Sequence, residues 1–185
     1  MTVFLQQIAA ASRRAPVSMA ALAIGGIGVA AILGAWFFQY GIGLRPCPLC
    51  LEQRIAYYFT IPLAALTFLG ARYGASRKVL VAAFLAMAAA MLWNAGLGAY
   101  HAGVEWKFWA GPQDCGGALG DLGGAGGMLK QLETIRVVRC DEVAWSFLGL
   151  SLAGYNVLIS LAMAALAMFG AGVAWRGLPA PEKIT

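Results

Sequence analysis

The sequence predicts an all-α integral membrane protein, a bundle of four transmembrane helices. Of its 185 residues, 61% are hydrophobic and only 11% are charged, and the mean hydropathy is +0.75. A soluble domain of this length carries more charge, because its surface must be solvated. The apolar residues fall into four runs, each close to the roughly 20 residues that a helix needs to cross a bilayer. We therefore expect one membrane domain over residues 1–185.

The predicted helices cover residues about 17–39, 48–69, 79–100 and 146–170. Two loops on one side of the bilayer separate them, at about 40–47 and 101–145. The first run is longer than the about 7 to 15 apolar residues of a signal peptide, and aromatic residues stand where a cleavage site needs small ones, so it is expected to remain a membrane helix. In the fourth helix, Ser151, Asn156 and Ser160 are expected to face the bundle and not the lipid.

Lysine and arginine residues near the helix ends predict the orientation. Seven of them fall on one side of the predicted bilayer, namely Arg13, Arg14, Arg72, Arg77, Lys78, Arg176 and Lys183. Only Glu182 opposes them there. The positive-inside rule makes this side cytoplasmic, so both termini are expected inside and all four cysteines on the opposite, oxidising side. This asymmetry explains the net charge of +5, and no nucleic-acid partner is expected.

The loop at 101–145 carries two cysteines, Cys115 and Cys140. Residues 116–128 contain seven glycines in thirteen positions, a composition typical of a flexible segment. In residues 129–138, apolar side chains recur at every third position opposite polar and charged ones. This pattern predicts a short interfacial helix lying on the bilayer, although an ordinary surface helix is equally compatible with it.

Cys47 and Cys50 form a Cys-Pro-Leu-Cys motif where the second predicted helix begins. Pro48 suits the first turn of a helix, where its missing N–H is not needed, so Cys47 is expected to cap the helix and Cys50 to be its third residue. Both sulfurs then lie at the positive end of the helix dipole, which favours the reactive thiolate. Arg54, one turn further on, adds a positive charge. The motif is therefore interpreted as a redox-active pair.

Two other interpretations of this motif stay open on the residues alone. The cysteines could form a plain structural disulfide, or they could supply half of a zinc site. A zinc site requires four ligands, and the other candidates are only Cys115, Cys140 and His101. A single Cys-x-x-Cys motif without a matching second one is a weak zinc signal, so no metal is expected.

Three segments of the sequence contain a cysteine or the histidine together with distinctive neighbouring residues. They are Cys47-Pro-Leu-Cys50-Leu-Glu-Gln-Arg54, then Tyr100-His101-Ala-Gly-Val-Glu105 ahead of Cys115, then Arg139-Cys140-Asp-Glu-Val-Ala-Trp-Ser-Phe-Leu-Gly-Leu-Ser151. In combination they resemble the DsbB family of disulfide bond formation proteins. The order of the cysteines, the topology and the arginine four residues after the second cysteine all agree with that family.

The resemblance implies a quinone-dependent thiol oxidase of the bacterial inner membrane, with its cysteines facing the periplasm. Its partner would be a periplasmic DsbA-type oxidase of the thioredoxin fold, and its electron acceptor a membrane quinone, ubiquinone or menaquinone. Cys115 and Cys140 would form a loop disulfide that meets the partner. Cys47 and Cys50 would form the disulfide that passes the electrons on, with Cys50 beside the quinone ring.

Arg54, His101 and Glu52 are the candidate quinone-binding residues. Arg54 would donate a hydrogen bond to a quinone oxygen, and by the resemblance His101 lies near the quinone. A plainer role is compatible with the sequence in each case. Arg54 could reach toward lipid headgroups, a lone interfacial histidine is more often structural, and Glu52 could simply stabilise the helix dipole.

Two alternatives to this family are kept. A vitamin K epoxide reductase-like enzyme also combines a four-helix bundle with two cysteine pairs, but its loop cysteines precede the Cys-x-x-Cys motif, whereas Cys115 and Cys140 follow it. A non-catalytic membrane scaffold with structural disulfides would show no quinone-dependent change in thiol state. The order of the cysteines favours the DsbB family.

The charged neighbours of the loop cysteines predict which sulfur the partner attacks. Asp114 precedes Cys115 and disfavours its thiolate, whereas Arg139 precedes Cys140 and favours its thiolate. The better leaving group is therefore Cys140, and attack is expected at Cys115.

Overall fold

A computed structural model describes the backbone of residues 2–111 and 140–177, with the side chains from residue 14 onward. Within these residues the chain forms four long helices, α1 (Thr2–Trp36), α2 (Pro48–Tyr73), α3 (Arg77–Glu105) and α4 (Leu152–Gly177). Each contains a segment that is long and apolar enough to cross a membrane. The most extensive contacts join α3 to α4 and α1 to α2. The four-helix membrane bundle predicted from the sequence is confirmed.

Local signals determine where the helices begin and end. Gly74 ends α2 in the left-handed conformation, with φ at +89°, which glycine adopts without strain. Ser76 then caps α3 by accepting a hydrogen bond from the Val79 N–H at 3.4 Å. On the opposite side, α1 continues through Phe37–Gly41 as a π-helix. The α2–α3 connection is therefore a tight turn, and the longer connections lie at the end of the bundle that carries the cysteines.

Helix α3 extends beyond its predicted end near residue 100 and continues to Glu105. The extra turn carries two buried polar residues, His101 and Glu105, with exposed fractions of 4% and 9%. Their side chains are hydrogen-bonded inside the protein. Hydropathy does not distinguish a polar residue that ends a membrane span from one that faces a protein interior, so the predicted start of the loop at residue 101 is corrected to follow Glu105.

Helix α4 begins later than the predicted residue 146. Ser146–Phe147 (β1) and Leu150–Ser151 (β2) pair as a short antiparallel hairpin. The two turn residues between the strands, Leu148 and Gly149, have φ values of +49° and +79°. Because two consecutive residues with positive φ cannot belong to a right-handed helix, α4 starts only at Leu152.

The core is filled by flexible and small side chains. Met87, Met91 and Met163 are fully buried between the helices. The ring of Phe84, also fully buried, lies directly against Gly170 of α4, where an added Cβ would be 2.5 Å from a ring carbon. The absence of a side chain at this glycine therefore allows α3 and α4 to approach closely.

Candidate redox site

Cys47 and Cys50 lie together at the start of α2. Cys47 is the N-cap, its sulfur accepts a hydrogen bond from the Cys50 N–H at 3.3 Å, and Pro48 occupies the first helical position. The predicted cap is confirmed. The Cys47 thiol also donates to the Cys50 sulfur, with 2.9 Å between the two sulfur atoms, and both cysteines are free in this structure. Their predicted disulfide stays a prediction.

The electrostatics of the pair correct one expectation. The helix dipole predicts a thiolate on both sulfurs, but the hydrogen bond to the Cys50 sulfur, together with burial, raises the pKa of the Cys47 thiol above its ordinary value. Cys47 therefore keeps its proton more readily than an ordinary thiol does. When one thiol of the reduced pair ionises, the hydrogen bond donated by Cys47 favours negative charge on the Cys50 sulfur.

His101 reaches this pair from the end of α3. Its Nε2 atom lies 3.6 Å from the Cys47 Sγ atom, and its Nδ1 atom lies 3.0 Å from the side-chain nitrogen of Gln53. The Glu105 carboxylate lies 3.9 Å from the same Nε2 atom and accepts a hydrogen bond from the Ser151 hydroxyl. The structure thus brings the only histidine of the sequence to the redox pair.

A chain of polar side chains continues from Gln53 into the bundle. The Gln53 Oε1 atom accepts from the Asn156 amide at 2.5 Å, and the Asn156 oxygen accepts from the Tyr57 hydroxyl at 2.6 Å. Asn94 donates to the Asn156 oxygen at 3.4 Å and to the Ser160 hydroxyl at 2.9 Å. Such groups need partners where water is excluded, and here three helices supply them. The predicted inward orientation of Asn156 and Ser160 is confirmed.

Sequence reasoning assigned no role to Gln53. One signal was available, because Gln53 follows Cys50 by three residues and so lies on the same face of α2.

Glu52 is the opposite case, a residue that the sequence analysis named as a candidate and that the structure places away from the site. It is exposed and does not line the cavity beside the cysteines, since two residues along a helix correspond to about 200° of rotation away from Cys50. The structure does not bring Glu52 to this site, and its proposed contact with a cofactor is withdrawn.

Arg54 is held by the end of α1. Its Nη1 atom donates to the Gln39 side-chain oxygen at 2.7 Å. Gln39 lies within the π-helix Phe37–Gly41, a wider helical turn that is often found at functional sites. The guanidinium is partly buried and lines the same cavity as the cysteines, so it is not simply extended toward lipid headgroups.

A cavity of about 500 Å³ lies beside these residues. Its walls are mostly apolar and come from all four helices, the connection between α1 and α2, and three residues of the long loop, Glu142, Ala144 and Trp145. The rings of Phe38 and Trp145 are among them, with their centroids 4.9 Å apart. The polar residues that line it include both cysteines of the pair, Arg54 and His101. A mostly apolar pocket of this size with a few convergent polar groups is typical of a site for a small organic cofactor.

Cys140 lies next to the redox pair. It is 1% exposed and belongs to one buried cluster with Cys47 and Val104. The residue that follows it, Asp141, is held by Lys107, whose Nζ atom lies 2.9 Å from the carboxylate and 2.6 Å from the backbone oxygen. The end of the long loop is therefore attached to the end of α3.

The other predicted features of this loop lie outside the described residues. These features are Cys115 and its disulfide to Cys140, the glycine-rich segment 116–128, and the interfacial helix predicted over 129–138.

Comparison with known families identifies the chain. Residues 17–170 match the family model for disulfide bond formation protein DsbB. The chain belongs to the DsbB family. Quinone-coupled reoxidation of DsbA is the role of this family, and the present DsbB-family chain is a disulfide oxidoreductase and a multi-pass membrane protein.

Curated relatives named disulfide bond formation protein B are similar over most of the chain. The one from Xanthomonas campestris pv. campestris strain 8004 is 34% identical over 161 residues, covering 81% of this chain and 85% of the relative. The one from Albidiferax ferrireducens is 31% identical over 145 residues, covering 69% and 75%. The one from Hahella chejuensis is 29% identical over 163 residues, covering 77% and 87%. No solved structure matches the chain significantly.

Proposed function

We propose that this protein reoxidises a periplasmic DsbA-type oxidase of the thioredoxin fold and passes the electrons to ubiquinone or menaquinone in the bacterial inner membrane. One observation carries the proposal. Cys50, Arg54 and His101 line a single mostly apolar cavity in a membrane-spanning bundle. Such a cavity suits a lipid-soluble acceptor and excludes a protein, so the partner protein must react elsewhere, at the loop cysteines.

The route of electrons uses two disulfides in series. A thiolate of the reduced partner attacks Cys115 of the Cys115–Cys140 disulfide and displaces Cys140 as a thiolate. Cys140 then attacks Cys47 of the Cys47–Cys50 disulfide and displaces Cys50. The second partner thiol resolves the mixed disulfide with Cys115 and leaves the partner oxidised. The released Cys115 thiolate then attacks Cys140 of the Cys140–Cys47 disulfide, which re-forms the Cys115–Cys140 disulfide and leaves Cys47 and Cys50 as the reduced pair. The burial of Cys140 in one cluster with Cys47 supports the second exchange, because the two side chains need no large movement to react.

The residues around Cys50 fit a quinone headgroup. Arg54 donates one N–H to Gln39. Because a guanidinium carries five N–H groups, it can donate another to a quinone oxygen. The hydrogen bond from Cys47 favours negative charge on the Cys50 sulfur, which faces the cavity. When bound, the quinone supplies the oxidising power by accepting two electrons and two protons. The balance is one partner disulfide and one quinol formed for each partner dithiol and quinone consumed.

The positions of basic residues support a periplasmic location for the cysteines. Arg14 donates to the backbone oxygen of Ala75 at 3.1 Å, and Arg77 donates to that of Trp175 at 3.3 Å. The start of the first span, the α2–α3 turn and the end of α4 therefore meet at one end of the bundle. By the positive-inside rule this end is cytoplasmic, and the redox pair lies at the other end.

The test is a reconstituted reaction. Purified protein is mixed with a reduced DsbA-type partner and a soluble quinone analogue, and partner thiols and quinol are measured together. We expect one quinol for each partner disulfide and no turnover in Cys50→Ser. Partner oxidation that proceeds equally without quinone, or a Cys50→Ser variant with full turnover, would contradict the proposal.

A further inference from the structure

Three metal-binding atoms converge at the redox pair. The Cys47 Sγ, Cys50 Sγ and His101 Nε2 atoms all lie within 4.8 Å of one another, and the closest sulfur-to-nitrogen distance recorded is 3.6 Å. Cys47 and His101 are buried, and Cys50 is half-buried. We propose that the reduced pair and His101 form a binding site for a thiophilic divalent ion of the Zn²⁺ and Cd²⁺ type. In the sequence the motif is a weak zinc signal, because no second Cys-x-x-Cys motif accompanies it, and the structure adds His101 as a third ligand.

The spacing suits a tetrahedral ion. With Zn–S near 2.3 Å and Zn–N near 2.0–2.1 Å, ligand atoms in a tetrahedral shell are about 3.8 Å apart for two sulfurs and about 3.6 Å apart for sulfur and nitrogen. The distance between Cys47 and His101 already has this value. The two sulfurs, now 2.9 Å apart, must separate by about 0.9 Å, which a small change in side-chain torsion provides. Because Cys47, Cys50 and His101 all line the cavity, water from it can occupy the fourth position.

The surroundings can hold the histidine in the required tautomer. A histidine bound through Nε2 carries its proton on Nδ1 and donates it to a neighbouring acceptor. Gln53 already contacts Nδ1 at 3.0 Å, and half a turn of its amide presents the oxygen in place of the nitrogen. Asn156, the next amide in the chain, can turn in the same way. The bond between Gln53 and Asn156 is therefore kept with its direction reversed, and Asn94, whose side-chain nitrogen now donates to the Asn156 oxygen, must turn its amide as well.

Charge balance also favours the bound state. Binding displaces one proton from each thiol, so one divalent ion and two thiols give a neutral dithiolate complex and two protons in solution. No oxidation or reduction takes place. A neutral complex with a neutral histidine suits a buried site far better than two free thiolates would.

The consequence is inhibition by metal of one redox state only. The disulfide form has no thiolates to offer, so only the reduced pair binds, and the bound pair cannot re-form its disulfide or deliver electrons. The binding itself does not depend on the proposed function, whereas the inhibition rests on it. The site would therefore make the enzyme sensitive to zinc or cadmium at the moment after it has accepted electrons.

The test uses the full chain carrying Cys115→Ser and Cys140→Ser, so that the pair supplies the only thiols. The reduced protein is titrated with Cd²⁺ while the ultraviolet thiolate-to-cadmium charge-transfer band is recorded, and Zn²⁺ is added as a competitor. We expect one Cd²⁺ per chain, displaced by Zn²⁺, and no band in the oxidised protein. Absence of the band in the reduced protein would overturn the site.

Two variants in this background test the role of His101. His101→Asn keeps a polar group near Gln53 but removes the soft nitrogen ligand, and we expect cadmium affinity to fall at least tenfold. Gln53→Leu removes the support of the histidine, and a loss on the order of 10–100-fold is expected for such a contact. An affinity unchanged in His101→Asn, with the fold verified by circular dichroism, would reduce the site to two cysteines and overturn the proposal.

The outcomes for metal binding and for redox function are separable. The wild-type protein is assayed with reduced partner and quinone, with and without Zn²⁺. Full quinone-dependent turnover combined with no Cd²⁺ binding would refute the metal site and leave the proposed function standing. Stoichiometric Cd²⁺ binding by a protein that shows no quinone-dependent turnover would support the metal site and refute the proposed function.

Discussion

The side-chain nitrogen of Gln53 lies 3.0 Å from the Nδ1 atom of His101. Gln53 also accepts a hydrogen bond from Asn156 through its oxygen, so its nitrogen is the atom that faces the ring. In this arrangement Nδ1 accepts, and the ring proton lies on Nε2, directed at the Cys47 sulfur 3.6 Å away. Gln53, about one helical turn after Cys50, therefore determines that the protonated Nε2 atom of His101 faces Cys47.

Replacing Gln53 by leucine is expected to destabilise the protein. The change removes the partner of the Asn156 side-chain nitrogen and of the His101 Nδ1 atom, and such an unsatisfied buried group costs about 1–3 kcal/mol. The free energy of unfolding can be measured by denaturant titration in detergent. Glu52→Leu, at the exposed neighbouring position, is the matched control and should change stability far less. Equal losses in the two variants would contradict the role assigned to the polar chain.

Replacing Arg54 by methionine is expected to weaken quinone binding. Loss of one charge-assisted hydrogen bond is worth about 1.5–3 kcal/mol, which corresponds to about a 10–150-fold higher KM for quinone. Transfer of electrons from the partner to the loop cysteines should continue at its normal rate in a single turnover, because that step exchanges disulfides between cysteines, whereas Arg54 bonds Gln39 and lines the proposed quinone cavity. An unchanged dependence on quinone concentration would reject this role. Gln39→Leu, which removes only the support of Arg54, should produce a smaller rise.

The contact between Phe84 and Gly170 predicts a difference between two glycines of α4. In Gly170→Ala the new Cβ would lie 2.5 Å from the Phe84 ring, and overpacking of this kind typically costs about 1–3 kcal/mol. Gly172→Ala has open space around the new methyl group and is the control. Thermal unfolding in detergent should therefore show a lower Tm for the first variant only. A Gly172→Ala variant that is the less stable of the two would argue against close packing of α3 and α4 here.

The mixed disulfide with the partner is expected at Cys115. Cys140 is 1% exposed, so an approaching protein cannot reach it without opening the structure. Wild-type protein is mixed with a DsbA-type partner that lacks its second active-site cysteine, and the trapped complex is digested and analysed by mass spectrometry. The intermolecular bond should lie on Cys115, and a bond found mainly on Cys140 would reverse the assigned order of attack.

The orientation predicts the location of inserted reporters. A reporter fused after Thr185 should be cytoplasmic, and one inserted between residues 123 and 127 should be periplasmic, because seven Lys and Arg residues with only one acidic residue lie at the end opposite the cysteines. At each position two reporters are compared, one that is active only in the cytoplasm and one that is active only in the periplasm. Finding either reporter on the other side would remove the basis for periplasmic disulfide chemistry.

Features that depend on residues close together in the chain could be predicted without the structure. Long apolar runs predict membrane helices wherever they occur, and the Cys47-Pro48 step predicts a capped helix start because both signals act within one turn. The family followed from short motifs in a fixed order. None of these inferences requires knowing how one helix is rotated against another.

Features that depend on helix rotation, or on residues far apart in the chain, could be read only from the folded protein. The contact of Cys47 with His101 spans 54 positions, and that of Gln53 with Asn156 spans 103. Hydropathy misplaced the end of α3 because His101 and Glu105 are polar but face the protein interior. Hydropathy also does not distinguish Glu52 from Gln53. These residues are adjacent in α2, but Glu52 faces outward and Gln53 faces the site. Packing of four helices fixes those rotations, and a local pattern does not contain that information.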